Sequence, residues 1–151
     1  MEITYQVENY EEIIESAKPL FEKHYREIAR NQEKIKLNPD YDLYKKMEDK
    51  DGLHIVTVRG DGKLIGYFVS FLAPHPHYQD HVMASNDIFY IDPIHRKGSV
   101  GSRMVKFALK SLKERGVSVV HTHTKIEHDI SSFLERIGGK KIEYVHEFLL
   151  I

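Results

Sequence analysis

The sequence predicts an α/β fold in which helices flank a mixed, mostly antiparallel and twisted β-sheet. Apolar residues recur at helical spacing over residues 10–28. Two β-rich runs, 53–59 and 64–72, flank Gly60-Asp61-Gly62, a strong hairpin signal that makes this pair antiparallel. Residues 86–124 have the order strand, helix, strand, and the two strands of such a crossover unit are parallel. The sheet should therefore contain both kinds of pairing.

The first part of the chain should contribute a strand and two helices. Residues 3–7 alternate between apolar and polar side chains, which indicates a short strand. Pro19 lies inside the helical pattern of residues 10–28 and should kink or divide that helix, because proline lacks an N–H donor. The turn signal Asn38-Pro39-Asp40 then precedes a short helix over residues 41–49.

The second part should alternate strands and helices after an irregular loop at residues 74–81. In chain order we predict a strand over 83–92, a helix over 99–115, a strand over 117–124, a helix over 129–137 and a terminal strand over 140–151. No repeat, low-complexity stretch or linker divides the 151 residues, so we expect a single domain spanning residues 1–151.

The segment from Ile91 to Ser102 is the strongest functional signal in the chain. It follows an apolar run, contains Arg96-Lys97-Gly98 and opens an amphipathic helix. The free N–H groups of a first helical turn and the helix dipole both favour an anion. The segment lacks the Gly-Lys-Ser/Thr of a P-loop and the three-glycine dinucleotide motif. It predicts a phosphate-bearing ligand, the alternative being an ordinary strand-to-helix connection with basic residues.

Composition excludes several other classes of protein. The formal net charge is −1, which gives no broad attraction to nucleic acid or to a membrane surface. Cysteine is absent, and with it disulfides, thiolate metal sites and a cysteine nucleophile. No apolar run approaches the roughly 20 residues of a membrane-spanning helix. The N-terminal residues lack the features of a secretion signal, so we expect a cytoplasmic location.

Two pairs of histidines, His75-x-His77 and His121-x-His123, raise the question of a metal site. Each pair places two imidazoles on one side of an extended segment, and Glu127-His128 follows the second pair. A zinc site needs a third ligand and further residues that orient the ligands. These spacings match no established metal motif, so we predict no metal ion.

The order of elements and the turn after the central strand resemble those of the GNAT family of N-acetyltransferases over nearly the whole chain. The family pattern ends this strand on apolar-x-Pro, matched by Ile91-Asp92-Pro93, and continues as Arg/Gln-x-x-Gly-x-Gly/Ala. Arg96 and Gly101 match the second part. Ser99 replaces its first glycine, and Gly98 stands one place early. The resemblance implies the GNAT fold and acyltransferase activity.

The resemblance also implies acetyl-CoA as co-substrate and direct transfer of its acetyl group to a primary amine of a small molecule or a protein. Backbone amides of the turn, helped by the Arg96 side chain, would hold the pyrophosphate. The pantetheine arm would pair with the strand edge near Phe89 and Ile91, where a backbone N–H would polarise the thioester carbonyl. The implied cofactor-binding residues are Phe89, Ile91, Arg96, Lys97, Gly98, Ser99, Val100, Gly101 and Ser102.

Three residues are candidates for the base that takes a proton from the acceptor ammonium, whose pKa is roughly 10.4. Asp87 is the first, because strand alternation predicts that it shares a face with Phe89 and Ile91. His75 and His77 are the second choice, since a histidine is often neutral near pH 7. In the alternative interpretation Asp87 caps the strand or pairs with a lysine, and the two histidines are exposed loop residues.

Some positions leave the function open. Family members often carry a tyrosine in the last helix that protonates the departing thiolate, and Leu134 stands in its place. This favours an alternative, a non-catalytic acyl-CoA-binding domain that acts through protein–protein contact. Residues 24–44 should line the amine pocket. The apolar run 148–151 would either pair across a homodimer or form a buried final strand. The Pro-His-x-His-Tyr loop, together with the Arg-x-Gly turn, resembles members encoded by tailed phages and prophages.

Overall fold

The fold is built around a five-stranded mixed sheet, which confirms the predicted α/β class. The computed structural model describes all of residues 1–151. Its elements are β1 (Ile3–Val7), α1 (Tyr10–Ile28), α2 (Tyr41–Asp49), β2 (Leu53–Gly60), β3 (Lys63–His75), β4 (Tyr78–Ile91), a 3₁₀ turn (Pro93–His95), α3 (Val100–Glu114), β5 (Val117–His121) and α4 (Ser131–Ile137). The strands lie in the order β1-β2-β3-β4-β5, and all neighbours are antiparallel except β4 and β5, which are parallel.

Two hydrophobic cores lie on the two faces of the sheet, because successive side chains of a strand point to opposite faces. Helices α1 and α2 cover one face, and the buried residues there include Ile13, Ala17, Leu20, Leu64, Tyr67 and Tyr90. Helix α3 covers the other face, and the buried residues there include Val56, Phe68, Ile91, Met104, Val105 and Leu112. The end of β4 therefore contributes to both cores.

Helix α1 runs without a break across Pro19, so of the two predicted effects of this proline, a kink or a division of the helix, the division is wrong. Its start is stabilised by the Glu12 carboxylate, which accepts a hydrogen bond from the Asn9 N–H at 2.6 Å. The buried stripe of the helix continues on both sides of Pro19, from Ile13 to His24. Packing of that stripe on the sheet offsets the hydrogen bond that proline cannot make.

Strands β4 and β5 separate partway along their length. Their parallel pairing ends where Ser85 meets His121, whereas β4 continues to Ile91 beside β3. A bulge at Asn86 and Asp87 shifts the register of β4 against β3, since Val69 pairs with Ile88 and Ser70 with Asn86. A bulge bends a strand and increases its twist. The edge of β4 from the bulge to Ile91 is therefore unpaired and faces an opening beside β5.

Two predicted segments differ from the structure. Residues 74–81 are mostly strand rather than loop, because β3 and β4 form one long hairpin that turns between His75 and Tyr78. The predicted strand over residues 140–151 is absent. That segment is exposed and runs back towards the end of α1, where Glu147 accepts a hydrogen bond from Asn31 at 3.1 Å. None of the helices combines the length and apolarity required to cross a bilayer.

Candidate active site

The turn between β4 and α3 adopts the conformation that its shifted glycine allows. Gly98 has a φ of +56°, in the left-handed region that other residues rarely enter. Ser99 has a φ of −101° and caps the start of α3 without strain. The glycine needed by this turn thus stands at position 98, which explains why a serine is tolerated at position 99.

Four backbone N–H groups of this turn have no acceptor within the protein, those of Gly98, Ser99, Gly101 and Ser102. The N–H groups of Lys97 and Val100 are directed to the carbonyl oxygens of His95 and Lys97, at 2.8 and 3.4 Å. Unpaired N–H groups at a helix start attract anions, and the helix dipole acts in the same sense. The turn is therefore able to donate several convergent hydrogen bonds to a phosphate.

A cavity of about 270 Å³ adjoins this turn between α3 and α4. Its lining residues are Gly98, Ser102, Lys106, Phe133, Arg136 and Ile137. Neither Lys106 nor Arg136 forms an ion pair within the protein, so both cations remain able to meet a further phosphate. Sequence reasoning missed these two residues, because only folding brings α4 beside α3.

The free edge of β4 presents backbone donors next to the turn. The Asp92 N–H donates to the Ile65 carbonyl at 2.8 Å, so Ile91 occupies a non-hydrogen-bonded position opposite Gly66. By strand alternation Phe89 is in the same situation, and the N–H groups of both residues point away from β3. A methyl group on Gly66 would lie 2.7 Å from the Tyr90 carbonyl oxygen, so glycine permits this close pairing.

Arg96 is held by other parts of the protein. Its Nε donates to the Ile91 carbonyl at 2.7 Å, and its two terminal nitrogens each donate to the Glu27 carboxylate at 2.7 Å. The guanidinium also lies 5.1 Å from the ring centroid of Tyr90. Arg96 is thus adjacent to the turn, with most of its donors already engaged.

Asp87 lies at the bulge of β4 and accepts a hydrogen bond from the Tyr44 hydroxyl of α2. Burial raises the pKa of Asp87, and the hydrogen bond from Tyr44 opposes that shift. Burial, followed by the neighbouring carboxylate, raises the pKa of Tyr44. Because of the bulge, Asp87 is on the α2 side of the sheet while Phe89 and Ile91 face α3, so the prediction that all three share a face is wrong.

The structure does not bring His75 and His77 near Asp87. Both histidines lie at the turn of the β3–β4 hairpin, where their rings contact each other with centroids 5.0 Å apart. Asp87 follows His77 by ten positions along β4, which is roughly 33 Å at about 3.3 Å per residue. No group of three or more His, Asp and Glu side chains has an arrangement that could hold a metal ion.

Helix α1 places a second set of polar groups beside the end of β4. The buried His24 has its Nδ1 3.0 Å from the Tyr67 hydroxyl, and its ring stacks on Tyr90. Burial lowers the pKa of His24 to about 4, so the imidazole is neutral near pH 7. A cavity of about 400 Å³ follows along the helix, with the lining residues Glu22, Tyr25, Arg26, Gln32, Glu33, Lys36 and Leu37.

Comparisons with known proteins agree with this geometry. The model of the family described as acetyltransferase (GNAT) family matches residues 11–138. No curated protein sequence matches the chain. An aminoglycoside acetyltransferase, meta-AAC0020 from an uncultured soil metagenomic sample, solved in complex with sisomicin, is similar in structure. Its TM-score is 0.77 at 13% identity, over 99% of this chain and 96% of the other.

Two further solved structures have the same fold. Glucosamine-6-phosphate N-acetyltransferase from Arabidopsis thaliana superposes with a TM-score of 0.75 at 12% identity, and all of both chains is covered. A predicted acetyltransferase from Clostridium acetobutylicum, solved with acetyl-CoA, gives 0.72 at 12% identity, over 99% of this chain and 97% of the other.

The matched family accounts for the main features of the site. Its acetyltransferases use acetyl-CoA as co-substrate, a ligand whose phosphates require donors like the free N–H groups of the turn. The family model spans 11–138 of the 151 residues, well over half of the sequence. The chain belongs to the GNAT family of acetyltransferases.

Proposed function

We propose that the protein transfers the acetyl group of acetyl-CoA directly to a primary amine, with the donor bound along the turn and the free edge of β4. The observation that carries this proposal is the set of unpaired N–H groups at residues 98, 99, 101 and 102, adjacent to the free β4 edge. The turn from Lys97 to Ser102 holds the pyrophosphate, and the edge at Phe89 and Ile91 pairs with the pantetheine arm. Arg96 adjoins both parts.

The reaction needs no covalent enzyme intermediate. The amine nitrogen attacks the thioester carbon, the carbonyl oxygen becomes an oxyanion, and the outward-pointing N–H of Ile91 stabilises that charge. The carbon–sulfur bond then breaks, CoA leaves as a thiolate, and the nitrogen gives up its extra proton. Each N–H donor of this kind contributes to the rate only if it is directed at the oxyanion rather than at the ground-state carbonyl.

Asp87 is the proposed base for the amine proton. It lies four residues before Ile91, the proposed thioester position, roughly 13 Å along the strand, so the proton reaches it through water. The pKa of this carboxyl is raised by burial, which makes it a stronger base than an exposed aspartate. Tyr44 fixes one of its oxygens and leaves the other available.

The absence of an acid at Leu134 does not prevent this reaction. A free thiol has a pKa of roughly 8.5, far below that of an alcohol, and a thiolate is therefore a good leaving group near neutral pH. Water is able to return the proton afterwards. Leu134 lies in α4 and offers no proton, which is the one observation that favours the second candidate, a non-catalytic acyl-CoA-binding domain acting through protein–protein contact.

The acceptor is proposed to approach from the side of α1 and α2. Asp87, Tyr44 and His24 are all on that side of the sheet, and the larger cavity lies at the end of α1. The residues that line this cavity carry both signs of charge, which suits an amine with further polar groups. Two structural neighbours act on amino sugars according to their names, an aminoglycoside and glucosamine 6-phosphate, so small amines of this kind are included among the candidates together with protein amines.

Calorimetric titration of acetyl-CoA and an assay of free CoA thiol together test the proposed function. We expect acetyl-CoA to bind, and at least one amine from a panel of aminoglycosides, amino sugars, polyamines, amino acids and lysine peptides to cause thiol release. The absence of acetyl-CoA binding would contradict the donor assignment. Binding without release for every amine would favour the acyl-CoA-binding domain.

Three further features of the proposal concern the oligomeric state, the location and the relatives of the protein. The exposed apolar run 148–151 supports a homodimer, since Phe148, Leu150 and Ile151 are 83%, 91% and 77% exposed and a second copy would cover them. The cytoplasmic location stays a prediction. The likeness of residues 74–81 to phage-encoded members stays a prediction.

A further inference from the structure

The last turn of α1 is joined to the end of β4 by a bidentate ion pair. Both Glu27 carboxylate oxygens accept from Arg96, each at 2.7 Å, in the planar geometry that suits a guanidinium. The third donor direction of Arg96 is used as well, because its Nε donates to the Ile91 carbonyl at 2.7 Å. One guanidinium therefore connects a helix to the backbone of the proposed reaction strand.

The charges and the burial of this pair favour a stable connection. The Glu27 side chain is 28% exposed and that of Arg96 40% exposed, so water competes only in part. Hydrogen bonds from Arg96 lower the pKa of Glu27, which keeps the carboxylate ionised near neutral pH. Arg96 also covers the ring of Tyr90, whose ring stacks on His24 at a centroid distance of 4.8 Å.

A second ion pair joins the same two parts of the fold. Lys23 lies one helical turn before Glu27 and donates to the Asp92 carboxylate at 2.7 Å. The two ion pairs thus hold α1 against the residues that follow the end of β4. They differ in one respect, since only the Glu27–Arg96 pair reaches the Ile91 carbonyl.

We propose that Glu27 is a positioning residue for acetyl transfer, and that Arg96 braces the end of β4 instead of binding the pyrophosphate. The N–H and C=O of Ile91 point to the same edge of the strand, so holding the carbonyl also fixes the direction of the N–H. This inference rests on the proposed function, in which that edge receives the donor and its oxyanion.

A competing role for Arg96 predicts the opposite effect of one substitution. If Arg96 instead leaves Glu27 to bind the pyrophosphate, the ion pair with Glu27 competes with acetyl-CoA for the guanidinium. Glu27→Gln should then tighten acetyl-CoA binding. If Arg96 is a brace, Glu27→Gln loosens the end of β4. Acetyl-CoA must then order this segment when it binds, which costs free energy, so binding should weaken. The sign of the change in Kd therefore separates the two roles.

The test compares four variants and one control variant with the wild type by calorimetry with acetyl-CoA. We expect Glu27→Gln, Arg96→Gln and Arg96→Lys each to raise the Kd about tenfold, because a lysine cannot hold the carboxylate and the Ile91 carbonyl together. The double variant Glu27→Gln/Arg96→Gln should be no weaker than either single variant, since both act through one connection. Glu15→Gln is the matched control on the exposed side of α1, because its carboxylate pairs only with Lys18 of the same helix, and it should leave the Kd unchanged.

The amide resonance of Ile91 in a two-dimensional NMR spectrum gives a second readout that needs no ligand. It should shift alike in Glu27→Gln and Arg96→Gln and stay in place in Glu15→Gln. The proposed bracing role of Arg96 would be overturned by any of three results: tighter binding by Glu27→Gln, full affinity of Arg96→Lys, or an unmoved Ile91 resonance. Failure of the wild type to bind acetyl-CoA would instead contradict the proposed function. The NMR comparison would still show whether Glu27 and Arg96 hold the backbone of Ile91. Thermal unfolding shows whether each variant is folded.

Discussion

At the scale of single residues, the central pair is Asp87 and Tyr44. The sequence indicates Asp87 but not its partner Tyr44, and the bulge in β4 brings them together by turning Asp87 towards α2. Burial and the tyrosine hydroxyl act on the carboxyl pKa in opposite directions, with burial the larger effect. A base of this kind works only in its ionised form, so its pKa sets the acidic limit of the activity.

Removing the Tyr44 hydroxyl should shift that limit to higher pH. Tyr44→Phe deletes the hydrogen bond that lowers the pKa of Asp87, so the pKa rises further and the acidic limb of the kcat profile moves up. Asp87→Asn should reduce kcat by about 10²–10⁴-fold near pH 7 and by less at alkaline pH, where the amine deprotonates unaided. Tyr41→Phe on the same helix is the control for Tyr44→Phe. An unchanged acidic limb in Tyr44→Phe, or full activity of Asp87→Asn, would exclude this role.

At the scale of elements, the turn that leads into α3 shows that a motif position can move while the backbone requirement stays. The left-handed φ lies at Gly98, and the N–H groups exposed by the turn follow from that conformation. Ser99 only needs an ordinary φ. The family pattern and this chain therefore differ by one residue in where the glycine is placed.

Gly98→Ala should weaken acetyl-CoA binding, whereas Ser99→Gly should not. An L-residue at this φ costs about 1–2 kcal/mol, and relief of that strain would turn the donor N–H groups away from the phosphate. Gly62→Ala in the β2–β3 turn is a matched control, because Gly62 also has a positive φ (+81°) and open space around its Cα. It should lower the unfolding temperature to a similar extent and leave the Kd unchanged. Equal Kd values for Gly98→Ala and Gly62→Ala would refute the assignment.

At the scale of the whole molecule, each sheet face holds a buried neutral histidine. His24 belongs to α1 and faces the sheet. His54 lies on the α3 side, where its Nε2 is 2.6 Å from the Ser111 hydroxyl. Its buried Nδ1 has no partner, so protonation there would leave a charge without compensation. Burial is the main cause that lowers both pKa values to about 4.

The free energy of unfolding should therefore fall as the pH is lowered from about 6.5 to about 4. Below pH 6.5 the unfolded chain binds protons that the folded chain does not, and the two histidines together remove on the order of several kcal/mol. Denaturant unfolding at a series of pH values measures this. His54→Gln should be less stable at pH 7 but decline less steeply, and the exposed His77→Gln should decline like the wild type. Parallel slopes for His54→Gln and the wild type would contradict the attribution.

The sequence predicted what depends on local pattern and missed what depends on distant pairing. The hairpin at Gly60–Gly62 and the turn from Lys97 to Ser102 are each encoded within a few residues. The bulge at Asp87 is set by the register of β4 against β3, and alternation alone assigned the wrong face. Residues 140–151 have the composition of a strand, yet no neighbour pairs with them. The partners Tyr44 and Glu27 lie more than forty residues from the groups they hold.

The unpaired edge of β4 and the unbonded N–H groups of the turn are all main-chain features. If acetyl-CoA is recognised mainly through the main chain, its binding places few demands on the identity of the side chains. Residues on the acceptor side can then change, in evolution or by design, without loss of acetyl-CoA binding. This separation is compatible with the fold that this chain shares, at 12–13% identity, with proteins named for different acceptors. For protein engineering, the proposed function makes the α1–α2 region the place to alter substrate choice and the β4–α3 turn the place to leave untouched.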